Sequence, residues 1–275
     1  MKLNISIDYK TNWGEELVLC LGGKRYPLTY VEDGQWRVEI PRVNPDKVSE
    51  YSYEVVSDGV TVRTEWKKHV LEMPEGKEPK VLVIADRWLA RTADAPFYSS
   101  AFTGAIFARQ ETEDPAGVVK DANVLFKVMA PVIRPDEVLA LAGSSAELDE
   151  WNTVIPFDSS EFPVWKLPLK VTAPFSYKLV IADKDTLRPI AWEDCDNRQF
   201  NVSIPDGGFA VEASIEPHFS GREWKGAGTA IPVFSLRTED DFGVGEFYDL
   251  KKMVDWAAST GQSFLQLLPI NDTTM

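Results

Sequence analysis

Turn residues cut the first 215 residues of this chain into pieces too short for a helical fold. Gly22-Gly23, Asp33-Gly34, Asp58-Gly59, Pro74–Gly76 and Asp206-Gly207-Gly208 recur at short intervals. Glycine reaches positive φ without steric cost and proline fixes φ, so such clusters reverse the chain. Between them apolar residues alternate with period two, as in Leu3, Ile5, Ile7 and Tyr9, in Trp36, Val38 and Ile40, and in Val124, Phe126 and Val128. That period places one side of each run in a core and the other in water. No amphipathic stretch of about ten residues precedes position 245. The pattern predicts a mainly β chain built from antiparallel, immunoglobulin-like β-sandwiches.

The strands repeat. Glu15–Gly22 echoes Asp136–Gly143, Gly34–Val38 echoes Phe162–Leu167, and Tyr51–Val56 echoes Phe175–Val180. A tryptophan follows each copy, Trp66 and Trp192. Two tandem sandwich modules are therefore expected at residues 1–115 and 116–215, joined near the acidic stretch Gln110–Asp121, with a linker at 216–228. The tail changes character. Gly228–Leu236 reads as an apolar strand, Gly245–Ser259 as a helix with Phe247, Leu250, Met253, Val254 and Ala257 on one face, and Ser263–Leu268 as a second strand. A strand–helix–strand unit implies a parallel sheet. Residues 229–275 hold one such unit, against about 250 residues for a (β/α)8 barrel. They are expected to be the truncated start of a barrel.

Charge narrows the partners. Lys and Arg total 29 against 43 Asp and Glu, a net charge of −14 with pI ≈ 4.7. Phosphate backbones and anionic lipid surfaces are bound by the opposite sign, so neither nucleic acid nor a membrane is an expected partner. The N-terminus alternates like a strand and has no signal-peptide core, and Cys20 and Cys195 form no metal-type cluster. A cytoplasmic setting, without metal, nucleotide or redox cofactor, is the expectation; oligomeric state is not legible. Of nine tryptophans, Trp13, Trp151 and Trp192 lie among polar residues and are candidates for exposed stacking surfaces.

In the second module the order Gly143…Glu147-Leu148…Trp151, Phe162-Pro-Val-Trp165, Tyr177-Lys178 and Trp192-Glu193…Asn197-Arg198 resembles the starch-binding modules of carbohydrate-binding family 20. The resemblance implies that Trp151 and Trp192 form a platform for an α-1,4-glucan. It also implies that Lys178, Glu193 and Asn197 hydrogen-bond glucose hydroxyls and that Trp165 is core. The chemistry is coherent: a pyranose packs its C–H face on indole, and its rim of hydroxyls needs a few placed polar groups. The first module keeps the scaffold but departs at the site. Glu54 stands where the flanking lysine would be, and Lys67-Lys68-His69 follows Trp66; Trp13 or Tyr26 would have to supply any platform of its own.

Gly228–Arg237, Asp241-Phe-Gly243-Val-Gly245 and Gln266–Thr273 are similar to the opening of the family 77 glycoside hydrolases, 4-α-glucanotransferases with a (β/α)8 barrel. That resemblance implies a retaining transferase with a carboxylate nucleophile and an acid/base roughly 5–5.5 Å apart. In that family these lie further along the barrel, so no acid here is assigned a catalytic role and the chain alone is expected to be inactive. Asn271 and Asp272, after a strand's C-terminal end, are expected at the floor of a sugar pocket. The expected function is glucan anchoring for transfer of α-1,4-glucan segments between malto-oligosaccharides, starch or glycogen. The alternative is a stand-alone tandem β-sandwich protein that binds carbohydrate or protein without catalysis.

Overall fold

The structure, a computed structural model, describes residues 1–74, 76, 78–90, 95–109, 121–172 and 174–268. The chain forms two compact units, Met1–Gly221 and Arg222–Met275.

The first unit holds two sandwiches. The first is built from β1 (Lys2–Asp8), β2 (Glu15–Leu21), β3 (Lys24–Pro27), β4 (Thr29–Tyr30), β5 (Gln35–Ile40), β6 (Glu50–Ser57), β7 (Val60–Thr64), β8 (His69–Val70) and β9 (Val81–Arg87). The second uses β10 (Val124–Met129), β11 (Glu137–Gly143), β12 (Ile155–Pro156), β13 (Val164–Leu169), β14 (Phe175–Asp183), β15 (Pro189–Trp192), β16 (Arg198–Phe200) and β17 (Gly208–Glu212). Burial follows the alternation read from sequence: Leu3, Ile5 and Ile7 are buried, as are Val124, Phe126 and Val128.

The two sandwiches share a sheet. Its order is β13-β10-β17-β9-β1-β5-β4, so the last strand of each sandwich pairs with the last strand of the other. β10, β17, β9 and β1 run parallel to one another, with Gly208 opposite Val81 and Val211 opposite Ile84 at the junction. Each sandwich then adds its own antiparallel sheet, β3-β2-β6-β7 with β8 for the first and β12-β11-β14-β15 with β16 for the second. Successive side chains of a strand point to opposite faces. Phe209 and Val211 of β17 and Leu125 of β10 enter the core of the first sandwich beside Leu82 and Ile84. Ala210, Val124 and Phe126 enter the core of the second. The two smaller sheets therefore cover opposite faces of the shared one.

This junction has two supports. Burying Phe209 and Val211 stabilises it by about 1.5–3 kcal/mol each. On the same face as Leu125, Lys127 stands opposite Lys166 in register, a like-charge pair that would be unfavourable alone. Glu72 of the first sandwich accepts from both, at 2.6 and 3.1 Å. Burial works against its charge, yet the two ammonium groups hold its carboxyl below the usual glutamate range.

In the second unit β18 (Gly228–Ile231) and β19 (Phe264–Leu267) pair in parallel, with α1 (Leu250–Ser259) between them in the chain. The strand expected over 228–236 stops at Ile231 because Pro232 has no N–H to continue the ladder, and a 3-10 turn follows at Val233–Ser235. The helix expected from Gly245 starts its α-turns at Leu250, after a 3-10 turn at Phe247–Asp249. There the Asp249 carboxylate accepts from the Glu246 N–H at 2.8 Å. Of the anticipated apolar face Ala257 is buried, whereas Phe247 and Val254 remain exposed. Asn271 and Asp272 lie outside the described residues.

Candidate functional site

Strand β14 organises the site. Its neighbours are β11 on one side and β15 on the other, with Ala140 opposite Val180 and Val180 opposite Trp192. Period two puts Lys178, Val180 and Trp192 on the face of this sheet turned away from Leu139, Leu141 and Leu179. Trp192 is 43% exposed, so much of its indole is open to solvent. The Lys178 ammonium donates to the Glu193 carbonyl oxygen at 3.0 Å, which fixes its chain beside Trp192 and leaves two N–H donors.

Trp151 ends the 3-10 segment Ala146–Trp151 that follows β11. Asp149, Glu150 and Trp151 have φ of 52°, 46° and 72°, three consecutive non-glycine residues in the left-handed region. Each costs energy and persists only where its surroundings enforce it; such strain collects at ligand sites. The enforcement is visible. Leu148 is buried, Glu150 N–H donates to the Ser145 carbonyl at 3.2 Å, and part of the Trp151 ring packs on the core. Trp151 is thus half-buried, with one side of its ring committed to packing.

Glu193 is differently placed. It is 2% exposed, and its carboxylate accepts from Arg198 Nε at 3.0 Å and Nη2 at 2.5 Å. It also receives the Leu179 and His218 N–H groups, each at 3.4 Å. The hydrogen bond from Arg198 to this carboxylate raises the guanidinium pKa further. Glu193 ties the Trp192-bearing strand end to β14 and β16, and its acceptor sites face protein. Asn197 is exposed in the loop before β16, where its backbone carbonyl accepts from Gln199 at 3.4 Å. Trp165 is fully buried and donates Nε1–H to the Ala130 carbonyl at 2.9 Å.

The first sandwich carries the same device in other residues. Glu65, just before Trp66, has a fully buried carboxylate that accepts from His69 Nε2 at 2.8 Å and from the Tyr53 and Leu89 N–H groups at 2.8 and 2.6 Å. The other imidazole nitrogen stands 3.3 Å from Asp86, which accepts from the Tyr51 and Tyr53 hydroxyls at 2.7 and 3.0 Å. In both sandwiches a buried glutamate beside a tryptophan is paired with a cation four or five residues later. The sequence signal, Glu–Trp against Trp–Glu, is reversed in order, which hid the correspondence.

A half-exposed indole beside a fixed lysine on the outer face of a β-sandwich offers an apolar stacking surface next to hydrogen-bond donors. Residues 121–207 match the starch binding domain profile and residues 231–275 match that of 4-alpha-glucanotransferase. The chain thus carries a starch-binding domain of carbohydrate-binding family 20 followed by a segment of the family 77 glycoside hydrolases. It is 30% identical over 300 aligned positions to the 4-alpha-glucanotransferase DPE2 of Oryza sativa subsp. japonica, covering 99% of this chain and 32% of that protein. A 46-residue stretch is 54% identical to the 4-alpha-glucanotransferase of Chlamydia trachomatis serovar D, covering 17% of this chain and 9% of that one. The family 20 module of the maltotetraose-forming amylase from Pseudomonas saccharophila STB07 overlaps 32% of this chain and 97% of its own at 19% identity, with TM-score 0.27. The chain spans about a third of the rice relative's length. Among the described residues no helix is long and apolar enough to cross a membrane.

Proposed function

We propose that this chain supplies the α-glucan-anchoring region of a cytoplasmic 4-α-glucanotransferase that acts on malto-oligosaccharides, starch or glycogen. The observation that carries this reading is the open face of Trp192 beside the fixed Lys178 ammonium, within the segment that matches a starch binding domain. In this reading Trp192 and the free side of Trp151 stack on pyranose C–H faces. Lys178 and the exposed Asn197 hydrogen-bond hydroxyls. Glu193, its carboxylate held by Arg198, positions the Trp192 loop rather than touching sugar. The strand–helix–strand unit of residues 229–275 is the opening of a (β/α)8 catalytic domain, with Asn271 and Asp272 near its substrate floor. Titration of the protein with β-cyclodextrin, a mimic of one glucan turn, tests the anchoring role. Saturable binding that Trp192→Ala weakens at least tenfold is expected. Undiminished binding by that variant, or none by the parent protein, overturns it.

A further inference from the structure

A cleft in the first unit is lined by both sandwiches together. It encloses about 350 Å³, at the lower end of the range for small-molecule sites. Its lining includes Trp66, Trp88 and Tyr98 together with Met129, Ser214 and Glu216 of the second sandwich. Trp88 is held flat by stacking on Tyr9, with ring centroids 4.5 Å apart. Arg87 stands 5.7 Å from the Tyr98 ring and 3.7 Å from the Glu216 carboxylate, linking lining residues of the two sandwiches.

We propose that this cleft is a second binding site, specific for a short linear α-glucan. The inference rests on the glucan reading above for the sugar class, and on the cleft's own chemistry for everything else. Trp66, Trp88 and Tyr98 are each partly exposed; the Lys67 ammonium stands 4.3 Å over Trp66 and Tyr9 stacks on one face of Trp88, so the remaining ring surfaces are what a pyranose C–H face would pack on. Among the described lining residues Asp86 is committed to His69 and two tyrosines, leaving Asp8 and Glu216 against Lys67 and Arg87. Donors and acceptors without an excess of either charge among these residues suit a neutral polyhydroxyl ligand. Its modest volume favours a short single chain over a bulky glucan turn. Trp66 is the repeat counterpart of Trp192, yet part of the lining of its cleft comes from the other sandwich. The site therefore exists only because β9 and β17 join the two into one sheet.

The Trp192→Ala protein isolates the cleft. Titrated with maltotriose by calorimetry, it should retain one binding event, which adding Trp66→Ala should weaken at least tenfold. Because Trp66→Ala could disturb the fold, a second measurement is made on Trp192→Ala alone. Maltotriose should slow N-bromosuccinimide oxidation of Trp66 and Trp88, mapped by peptide mass, at least threefold. Loss of all maltotriose binding in Trp192→Ala, with the parent still binding, overturns the cleft and leaves the anchoring role intact; so does unprotected oxidation of Trp66 and Trp88. A parent protein that binds neither β-cyclodextrin nor maltotriose overturns both.

Discussion

The imidazole Nδ1 of His69 stands 3.3 Å from Oδ1 of Asp86, both side chains more than nine-tenths buried, with Glu65 on the opposite ring nitrogen. Burial opposes the imidazolium, but Asp86 and Glu65 outweigh it and raise the histidine pKa to about 9. A pKa raised in the folded state contributes stability that is complete below the unfolded value, near 6.5, and is lost as pH rises through about 9. The loss is on the order of 3 kcal/mol. Asp86 is shifted the other way: burial raises its pKa, but His69 more than offsets this, so its contribution disappears only as pH falls below the ordinary 3.8. Thermal melts should therefore show a plateau in mildly acidic buffer and a decline from pH 6.5 to 9. His69→Gln should flatten that decline. An unchanged alkaline decline in the variant would assign it to other groups.

The tryptophans separate by burial. Trp192→Ala should change stability by no more than about 0.5 kcal/mol and weaken β-cyclodextrin binding tenfold or more, about 1.4 kcal/mol. Trp165→Ala should cost about 3–5 kcal/mol of stability through the cavity it opens. Trp151→Ala should lose both affinity and some stability, since part of its ring packs on the core. Melts and titrations on the three proteins decide the matter; a large destabilisation by Trp192→Ala would contradict its exposure.

Much of this was legible in the chain, and the reasons for the remainder are physical. Alternation located β1 and β5, where buried residues alternate with more exposed ones, and the repeat found both sandwiches; in β10 the second face is covered as well, with Leu125 in the other core. What sequence could not show was pairing between elements far apart. Phe209 lies within the bounds of the second module, yet it is buried in the core of the first, because β17 joins β9 edge to edge. The same joining makes the Trp66–Trp88 cleft, whose lining also takes in Met129, Ser214 and Glu216 from the second sandwich. A sugar contact by Glu193 is what the resemblance to family 20 implies; its ion pair with Arg198 is visible only in the structure. The helix between β18 and β19 follows the 3.6-residue period, while its first turn is 3-10, closed by the capping box of Glu246 and Asp249.

Glu193 and Arg198 should behave as a structural pair. Arg198→Ala leaves a buried carboxylate without its cation and should cost about 3–5 kcal/mol. Glu193→Gln, which keeps the shape but loses the charge, should destabilise less and lower glucan affinity only in proportion to the disorder of the Trp192 loop. Hydrogen exchange at residues 190–199, followed with cyclodextrin titration, distinguishes the roles. A Glu193→Gln protein with unchanged exchange but tenfold weaker binding would make Glu193 a direct sugar contact.

The second unit should be the first to open. Its sheet has only the two strands β18 and β19 among the described residues, and a sheet that small is marginal without further cover. Phe234, Phe247, Val254 and Phe264 are exposed on it. Amides of Gly228–Ile231 and Phe264–Leu267 should exchange far faster than those of β1 or β14. Protection equal to that of the sandwich strands would show that these apolar faces are covered in solution.

Phe209→Ala tests whether the shared sheet makes one folding unit of two sandwiches. The side chain belongs to the second sandwich by sequence but is 3% exposed within the first sandwich's core. Its truncation should cost about 3–5 kcal/mol. If the sandwiches melted independently, only the first would lose packing and calorimetry would show two separating transitions. The continuous order β10-β17-β9-β1 and the Glu72 link to Lys127 and Lys166 couple them instead. The parent's Met1–Gly221 unit should melt in one transition, and Phe209→Ala should move that transition down without splitting it. A variant in which β14 amides keep their full protection while β1 and β6 lose theirs would show that the junction joins two independently stable modules.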